Sequence, residues 1–175
     1  GRFGNWLEEN KDWAISRDRY WGTPLPIWIC QSCDAKRSIG SVEELRKEGA
    51  QLPEPLDLHK PYIDAVTLKC SCGGEMRRIP ELVDVWFDSG VTHACVLAKR
   101  RGDGLKKPAD LYLEGSDQHR GWFQSSLLTG VAMDGQAPYR NCLTHGFTVD
   151  AQGRKMSKSL GNGIEPQDII GKLGA

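Results

Sequence analysis

At 175 residues the chain is long enough for one domain, or for a core with a small insertion, and 39% hydrophobic residues with six tryptophans suffice to bury one. Its 23 basic and 23 acidic residues cancel, so whole-chain charge gives no pull toward nucleic acid and leaves any such contact to a local patch. No apolar run approaches the roughly 20 residues that span a membrane, and Gly1-Arg2-Phe3-Gly4-Asn5-Trp6 does not read as a secretory signal.

The chain starts without a methionine and its last residues read as a helix cut partway, so it is expected to be an internal piece of a longer protein. Six cysteines without an export signal point to metal or free thiols rather than disulfides.

Residues 1–29 are dense in aromatics. Trp6 to Asn10 reads as the end of a helix, and Trp13-Ala14-Ile15-Ser16 as a short β-prone run. Arg17-Asp18-Arg19-Tyr20-Trp21-Gly22 follows, stopped by Pro24 and Pro26. By spacing alone this cluster is a packed corner before it is a stacking site for a base.

Residues 30–82 change character. Cys30-Gln31-Ser32-Cys33 and Cys70-Ser71-Cys72-Gly73-Gly74 place four thiols in two close pairs, the pattern of a tetrahedral structural zinc site. The alternative is four unrelated reduced cysteines. Glycines after the second pair permit the tight turn that points N–H groups at sulfur. Between the pairs, Ser41-Val42-Glu43-Glu44 is a capping box starting a short helix that Gly49 ends. Apolar content is so sparse that the metal is expected to hold this insertion together. Four thiolates leave no open position, so the site is structural.

Residues 83–90 alternate like a strand and then break, with Ser89 or its successors capping a helix from Thr92 to Ala98. The carboxylates there face a ligand or cap a helix. Lys99-Arg100-Arg101 and Lys106-Lys107 flank a glycine-rich basic turn, a solvated loop before it is a phosphate contact.

The clearest α/β signal lies in residues 109–149. Asp110 to Gly115 is expected to be a short buried strand ending in glycine, and Ser116-Asp117 can cap the next helix. There Phe123, Leu127 and Val131, with Leu128 and Ala132, form the stripe expected to pack on a sheet. Gly135 and Pro138 end it, and Tyr139 to Thr148 is a second strand. Strand, helix, strand is the unit of a parallel sheet, whose ligands bind beyond the strands' carboxyl ends. Glu114 to His119, His145-Gly146 and the next loop all emerge at that edge.

That loop is Lys155-Met156-Ser157-Lys158-Ser159, set among Gly153, Gly161 and Gly163. Two compact ammonium groups, hydroxyl donors and a permissive backbone suit a polyphosphate. A solvated basic turn is the alternative from five residues alone. Ile164 to Ile170 then begins a helix with Pro166 near its first position.

Lys155 to Ser159 resembles the signature loop of the class I aminoacyl-tRNA synthetases. Residues 13–22, Asp84 to Gly90, Tyr112 to Phe123 and Thr144 to Phe147 resemble the isoleucyl-tRNA synthetase family in particular, in this order and over essentially the whole chain. The resemblance implies an α/β fold, the second half of a Rossmann-like parallel nucleotide-binding sheet with a small inserted zinc-binding subdomain. It divides the chain into 1–29, a catalytic segment after an editing insertion; 30–82, the zinc insertion with Cys30, Cys33, Cys70 and Cys72; and 83–175, the remaining catalytic half.

The implied reaction joins isoleucine to the α-phosphate of ATP, with Mg2+, and passes the acyl group to tRNA(Ile). Lys155 and Lys158 are the implied catalytic residues, with Lys158 the main ATP contact. Glu114, Gly115, Asp117, Gln118, His145 and Gly146 are implied to hold ATP or the adenylate, and Trp86 and Trp122 to wall the isoleucine pocket. Zn2+ would be structural, the location cytoplasmic, and the remainder of the parent synthetase a partner. The class's other signature, two histidines bracketing an apolar residue and a glycine, is absent: His59, His93, His119 and His145 stand too far apart. The chain alone is therefore expected not to activate isoleucine. Two other readings stand beside this one. A zinc-stabilised RNA-binding module would leave Glu114 to His119 without a role, and a synthetase for another aliphatic amino acid is the third reading, although the Glu114 to Phe123 run narrows the resemblance to the isoleucine family.

Overall fold

A computed structural model describes residues 1–100, 102 and 104–174. Arg101 and Asp103, in the expected basic turn, lie outside the described residues.

Helix α1, Arg2–Glu8, leads through an extended segment to the two-residue strand β1, Ser16–Arg17. The β-prone run therefore shortens to its last residue and the arginine beyond it. Next come β2, Ile27–Cys30, and β3, Lys36–Ser38, an antiparallel hairpin in which Trp28 faces Arg37. Helix α2, Val42–Lys47, starts as its residues dictate: the Ser41 side chain accepts from the Glu44 N–H at 3.1 Å, and Glu44 Oε2 accepts from the Gly40 N–H at 2.7 Å. Gly49 closes it at φ 77°, a left-handed conformation that favours glycine.

A 3₁₀ turn at Ile63–Ala65 precedes β4, Leu68–Lys69, and β5, Glu75–Arg78, which complete an antiparallel sheet in the order β3-β2-β5-β4. Period-2 alternation puts Trp28, Cys30, Met76 and Arg78 on its buried face. Ile39, Leu45, Ile63, Val66 and Leu68 pack against them, and the Trp28 ring donates to the Val66 carbonyl at 2.9 Å. The expectation that apolar content here is too sparse for a core, leaving the metal to hold the insertion together, is corrected by this cluster. Apart from Trp28 and Cys30 in the run Ile27–Cys30, its apolar residues are scattered from Ile39 to Met76, so no single run announces the core they form together.

Strand β6, Leu82–Val83, pairs antiparallel with β1. Helix α3, Val85–Gly90, follows at once, then a π-helical turn at His93–Leu97. Of the alternating stretch only Val83 is strand, and Ser89, expected to cap the next helix, lies within α3 instead. Asp84 accepts from the Trp86 N–H at 3.0 Å and caps the helix, so the capping alternative holds.

Strand β7, Ala109–Gly115, a 3₁₀ turn at Ser116–Arg120, helix α4, Trp122–Asp134, and strand β8, Tyr139–His145, form the expected unit, and β7 and β8 pair in parallel. The α4 N-cap is Gly121, without a side-chain cap, and Gly135 ends the helix in the left-handed conformation. The expected stripe is corrected: Phe123, Ser125, Ser126, Thr129 and Gly130 are buried while Val131 is exposed. Small residues win the buried face because neighbours come too close for large ones. A Cβ on Gly130 would stand 2.7 Å from Pro138 Cδ, and one on Gly90 3.0 Å from Ser125 Cβ. Helix α5, Pro166–Leu173, has Pro166 in its first turn and no buried residue. Among the described residues no helix is long and apolar enough to cross a membrane.

Candidate functional site

The four paired cysteines converge. Their sulfur atoms all lie within 4.8 Å of one another, with Cys30 Sγ to Cys72 Sγ at 3.5 Å and Cys33 Sγ to Cys70 Sγ at 3.7 Å. Sulfurs tetrahedrally placed about 2.3 Å from one Zn2+ would be about 3.8 Å apart, so the set fits that ion. None is in a disulfide. As the turns require, the Ser32 N–H points at Cys30 Sγ and the Gly74 N–H at Cys72 Sγ, each 3.4 Å away. The backbone N–H of Cys72, reinforced by the neighbouring thiols, pulls Cys70 down to about 6. The N–H of Ser32 lowers Cys30 likewise. The Ala35 N–H also lowers Cys33, but the other three thiols together outweigh it and push Cys33 up to about 12. Proximity thus favours thiolate at some sulfurs and retains a proton at another, the charge conflict that a divalent cation relieves.

The second assembly lies at the carboxyl ends of β7 and β8. Glu114 pairs in register with Thr144, and Gly115 with His145. A Cβ on Gly115 would meet Asp117 Oδ1 at 2.6 Å and the His145 ring at 3.8 Å, so glycine is needed for this approach. Gln118 donates to Asp117 Oδ2 at 3.2 Å and accepts from the Trp122 N–H at 2.9 Å. It therefore supplies the α4 terminus with the acceptor that Gly121 lacks. His145 Nδ1 lies 2.7 Å from the Gly146 carbonyl. Glu114, Asp117 and His145 are exposed, the state a ligand-facing edge requires.

The two tryptophans separate in role. Trp86 is 42% exposed and stands between two cavities. One, about 330 Å³, is walled by Trp6, Trp13, Trp86, Arg120, Gly121 and Gln124 among others; the second, about 530 Å³, by Arg17, Arg19, Trp21, Asp84, Trp86 and Asp88 among others. Trp122 lines neither. It stacks on Tyr112 with ring centroids 4.0 Å apart, and its Nε1 donates to the Ser89 carbonyl at 3.0 Å, tying β7 to α3. Asp84, in the wall of the second cavity, accepts from Trp13 Nε1 at 2.9 Å and pairs with Arg17. Burial opposes its charge, but the bonds from Trp13 and Trp86 and the charge of Arg17 keep the carboxyl below its usual range.

The lysine loop follows a hairpin in which Val149 bridges Lys155. Lys155 Nζ rests 3.5 Å from the centre of the Phe147 ring, a cation–π contact. Lys158 and Glu114 are exposed, and no ion pair engages either among the described residues. Phe147, quoted in sequence only as the end of the Thr144–Phe147 segment, lies under Lys155, and two residues not singled out there, Asp150 and Asn162, are joined at 2.8 Å across the base of the loop. Asp150 ahead of a turn and Asn162 between two glycines are ordinary turn formers, so nothing local marks them as partners 12 residues apart.

Residues 1–175 match the family model described as tRNA synthetases class I (I, L, M and V). The chain is 51% identical over 99% of its length to a curated "Isoleucine--tRNA ligase" of Archaeoglobus fulgidus, covering 17% of that protein. It is 49% identical to a protein of the same name from Methanoregula boonei over 99% of its length, covering 16% of that protein, and 48% identical over its whole length to one from Thermus thermophilus, covering 17%. Among solved structures it is similar to the ternary complex of Agrobacterium radiobacter K84 agnB2 LeuRS with tRNA and LeuAMS, with a TM-score of 0.64 and 25% identity over 99% of this chain and 25% of that one. The chain thus spans 16% to 17% of the length of the curated relatives it matches.

Proposed function

The chain belongs to the class I tRNA synthetases of the I, L, M and V group, and on that premise we propose that it is the ATP-handling half of the catalytic domain of an isoleucine tRNA ligase. The observation that carries the reading is the parallel register of β7 with β8, which sets Glu114-Gly115 beside Thr144-His145 at one sheet edge. Ligands of parallel α/β sheets bind beyond that edge.

The proposed chemistry follows from the groups present. Attack of an amino-acid carboxylate on the α-phosphate of ATP is an in-line displacement, helped most by positioning and by charge placed where the leaving pyrophosphate forms. Lys155 and Lys158 supply that charge, alongside Mg2+ carried in with ATP. Lys158 is the main contact, while Lys155 must first leave the Phe147 ring. Glu114 receives the substrate ammonium or ribose hydroxyls, and Gly115 keeps the backbone open. Asp117 and Gln118 add polar contacts to ribose and amino acid, and His145 and Gly146 flank the adenosine. Trp86 walls the aliphatic pocket, while Trp122, stacked on Tyr112 and bonded to Ser89, holds β7 against α3. In the full enzyme the acyl group then passes to the terminal ribose of tRNA(Ile), in the cytoplasm. Zn2+ held by Cys30, Cys33, Cys70 and Cys72 would cross-link the two turns of the insertion and take no part in the chemistry.

Isoleucine-dependent exchange of labelled pyrophosphate into ATP tests the reading. The chain alone is expected to give none. Mixed with the N-terminal portion of the Archaeoglobus relative it is expected to support exchange, and Lys158→Ala in that mixture to slow it by about 100-fold. Exchange by the chain alone would show that the second half of the fold suffices. A mixture that forms a complex yet exchanges nothing would overturn the assignment.

A further inference from the structure

The lysine loop is not a free flap: one carboxylate and one amide pin both of its ends. Asp150 Oδ1 accepts from the N–H groups of Gln152 at 3.0 Å and Arg154 at 2.9 Å, closing the turn that delivers Lys155. Asp150 Oδ2 accepts from Arg154 Nε at 2.9 Å and from Asn162 Nδ2 at 2.8 Å. Asn162 completes the ring. Its Oδ1 accepts from the Ser157 N–H at 2.9 Å, and its Nδ2 also reaches the Lys155 carbonyl at 3.3 Å. The Asp150 side chain is only 10% exposed, although the loop around it is mostly exposed. We propose that Asp150 and Asn162 form a latch that positions the Lys155–Ser159 backbone, so that both ammonium groups are presented from a fixed frame. Neither is a catalytic residue. They act through the lysines, and in this the inference rests on the reading of the loop as the ATP contact.

The geometry supports a latch over a generic turn. A turn needs only the Asp150 bonds to Gln152 and Arg154, two and four residues ahead. The bond to Asn162 spans 12 residues and encloses the whole lysine segment. Inside that enclosure the Gly161 N–H returns to the Ser157 carbonyl at 3.1 Å, and the Leu160 N–H to Ser157 Oγ at 3.3 Å. Ser157, fixed by Asn162, is therefore the hub on which the short turn carrying Lys158 closes. Donation from Asn162, ahead of the Arg154 N–H, also holds the Asp150 carboxyl below its usual range, so the latch is made with the ionised carboxylate.

Amide hydrogen exchange and ATP titration on the full 175-residue chain test the latch. Asn162→Ala is expected to speed exchange of the Ser157 amide by about tenfold, the value of one hydrogen bond, while amides of α4 keep wild-type rates. It is also expected to weaken ATP binding by a similar factor. Asn162→Asp sets carboxylate against carboxylate and is expected to do the same. Combining it with Asp150→Asn again faces a donor with an acceptor and is expected to restore both readouts most of the way, which a merely structural loss would not permit. Lys158→Ala is the reference: it should lose ATP and leave Ser157 exchange unchanged. Unaltered Ser157 exchange in Asn162→Ala overturns the latch, as does unaltered ATP affinity in that variant while Lys158→Ala loses it. If wild type and Lys158→Ala bind ATP equally, or neither binds it, the reading of the loop as the ATP contact fails. The exchange and rescue data then decide the latch by themselves.

Discussion

Asp84 shows how one side chain joins local structure to packing. It caps α3 through the Trp86 N–H, accepts from the Trp13 ring and pairs with Arg17 on β1, while its side chain is only 4% exposed. Asp84→Ala would strand a half-buried indole donor, an arginine and a helix terminus at once. The expected cost is about 2–4 kcal/mol, read as a lower urea midpoint at unchanged m-value. Because its folded pKa lies below the unfolded value, the contribution is fully present above the unfolded carboxylate pKa of about 4 and is lost as pH falls through the depressed folded value. The wild type should therefore lose stability in acid more steeply than Asp84→Asn. Parallel acid curves would assign that loss to other carboxylates. The residue was legible as a candidate, since a carboxylate after a short β-prone run either faces a ligand or caps a helix. Its partners were not, because Trp13 lies 71 residues away and nothing local encodes that distance. Lys155 and Lys158 stood out as candidates only through the signature loop they resemble, since five residues alone leave a solvated basic turn open. Asp150 and Asn162, which bind across the same loop, look in sequence like any turn residues.

The elements that could be read from sequence are those whose causes are local. The Ser41–Glu44 capping box, Pro166 at the start of α5 and Gly135 at the end of α4 each act within one turn, and each is where it was expected. The buried face of α4 was misread because the helix is apolar on most sides, so periodicity does not choose among faces. Close approach chooses instead, and it selects Ser126, Thr129 and Gly130 over Leu127 and Val131. Two glycine substitutions isolate that effect. In an exposed helix interior, glycine to alanine should stabilise by about 0.5–1 kcal/mol, and Gly171 in α5 has nothing within 4 Å of its missing Cβ. Gly130→Ala carries the same propensity gain but drives a methyl to 2.7 Å from Pro138, where overpacking costs about 1–3 kcal/mol. Thermal melts are expected to move upward for Gly171→Ala and downward for Gly130→Ala. Two upward shifts would mean that Pro138 yields freely and that small residues are not what seats α4.

At the scale of the whole molecule, the telling feature is a parallel sheet covered on one side only. Tyr112 points into the α4 side, stacked on Trp122 and 4% exposed, while Leu111, Leu113 and Leu143 are 49%, 50% and 55% exposed. Leu113 and Leu143 are register partners, so these leucines form a continuous apolar face opposite the helix. Parallel sheets are normally buried on both faces, because each crossover places a helix on one side or the other. Burying a leucine completely is worth about 1.5–3 kcal/mol, and three half-exposed ones leave a comparable sum unspent. On the proposed reading, the rest of the catalytic domain takes up that surface. Leu113→Asp separates a docking role from a core role. In the chain alone it should change the unfolding free energy by no more than about 0.5 kcal/mol, because the position is already half in water. In the mixture with the N-terminal portion of the Archaeoglobus relative, it should abolish association and isoleucine-dependent pyrophosphate exchange together. Retained exchange would show that the bare face is not where the two halves meet. A large loss of stability in the chain alone would put Leu113 in its own core instead.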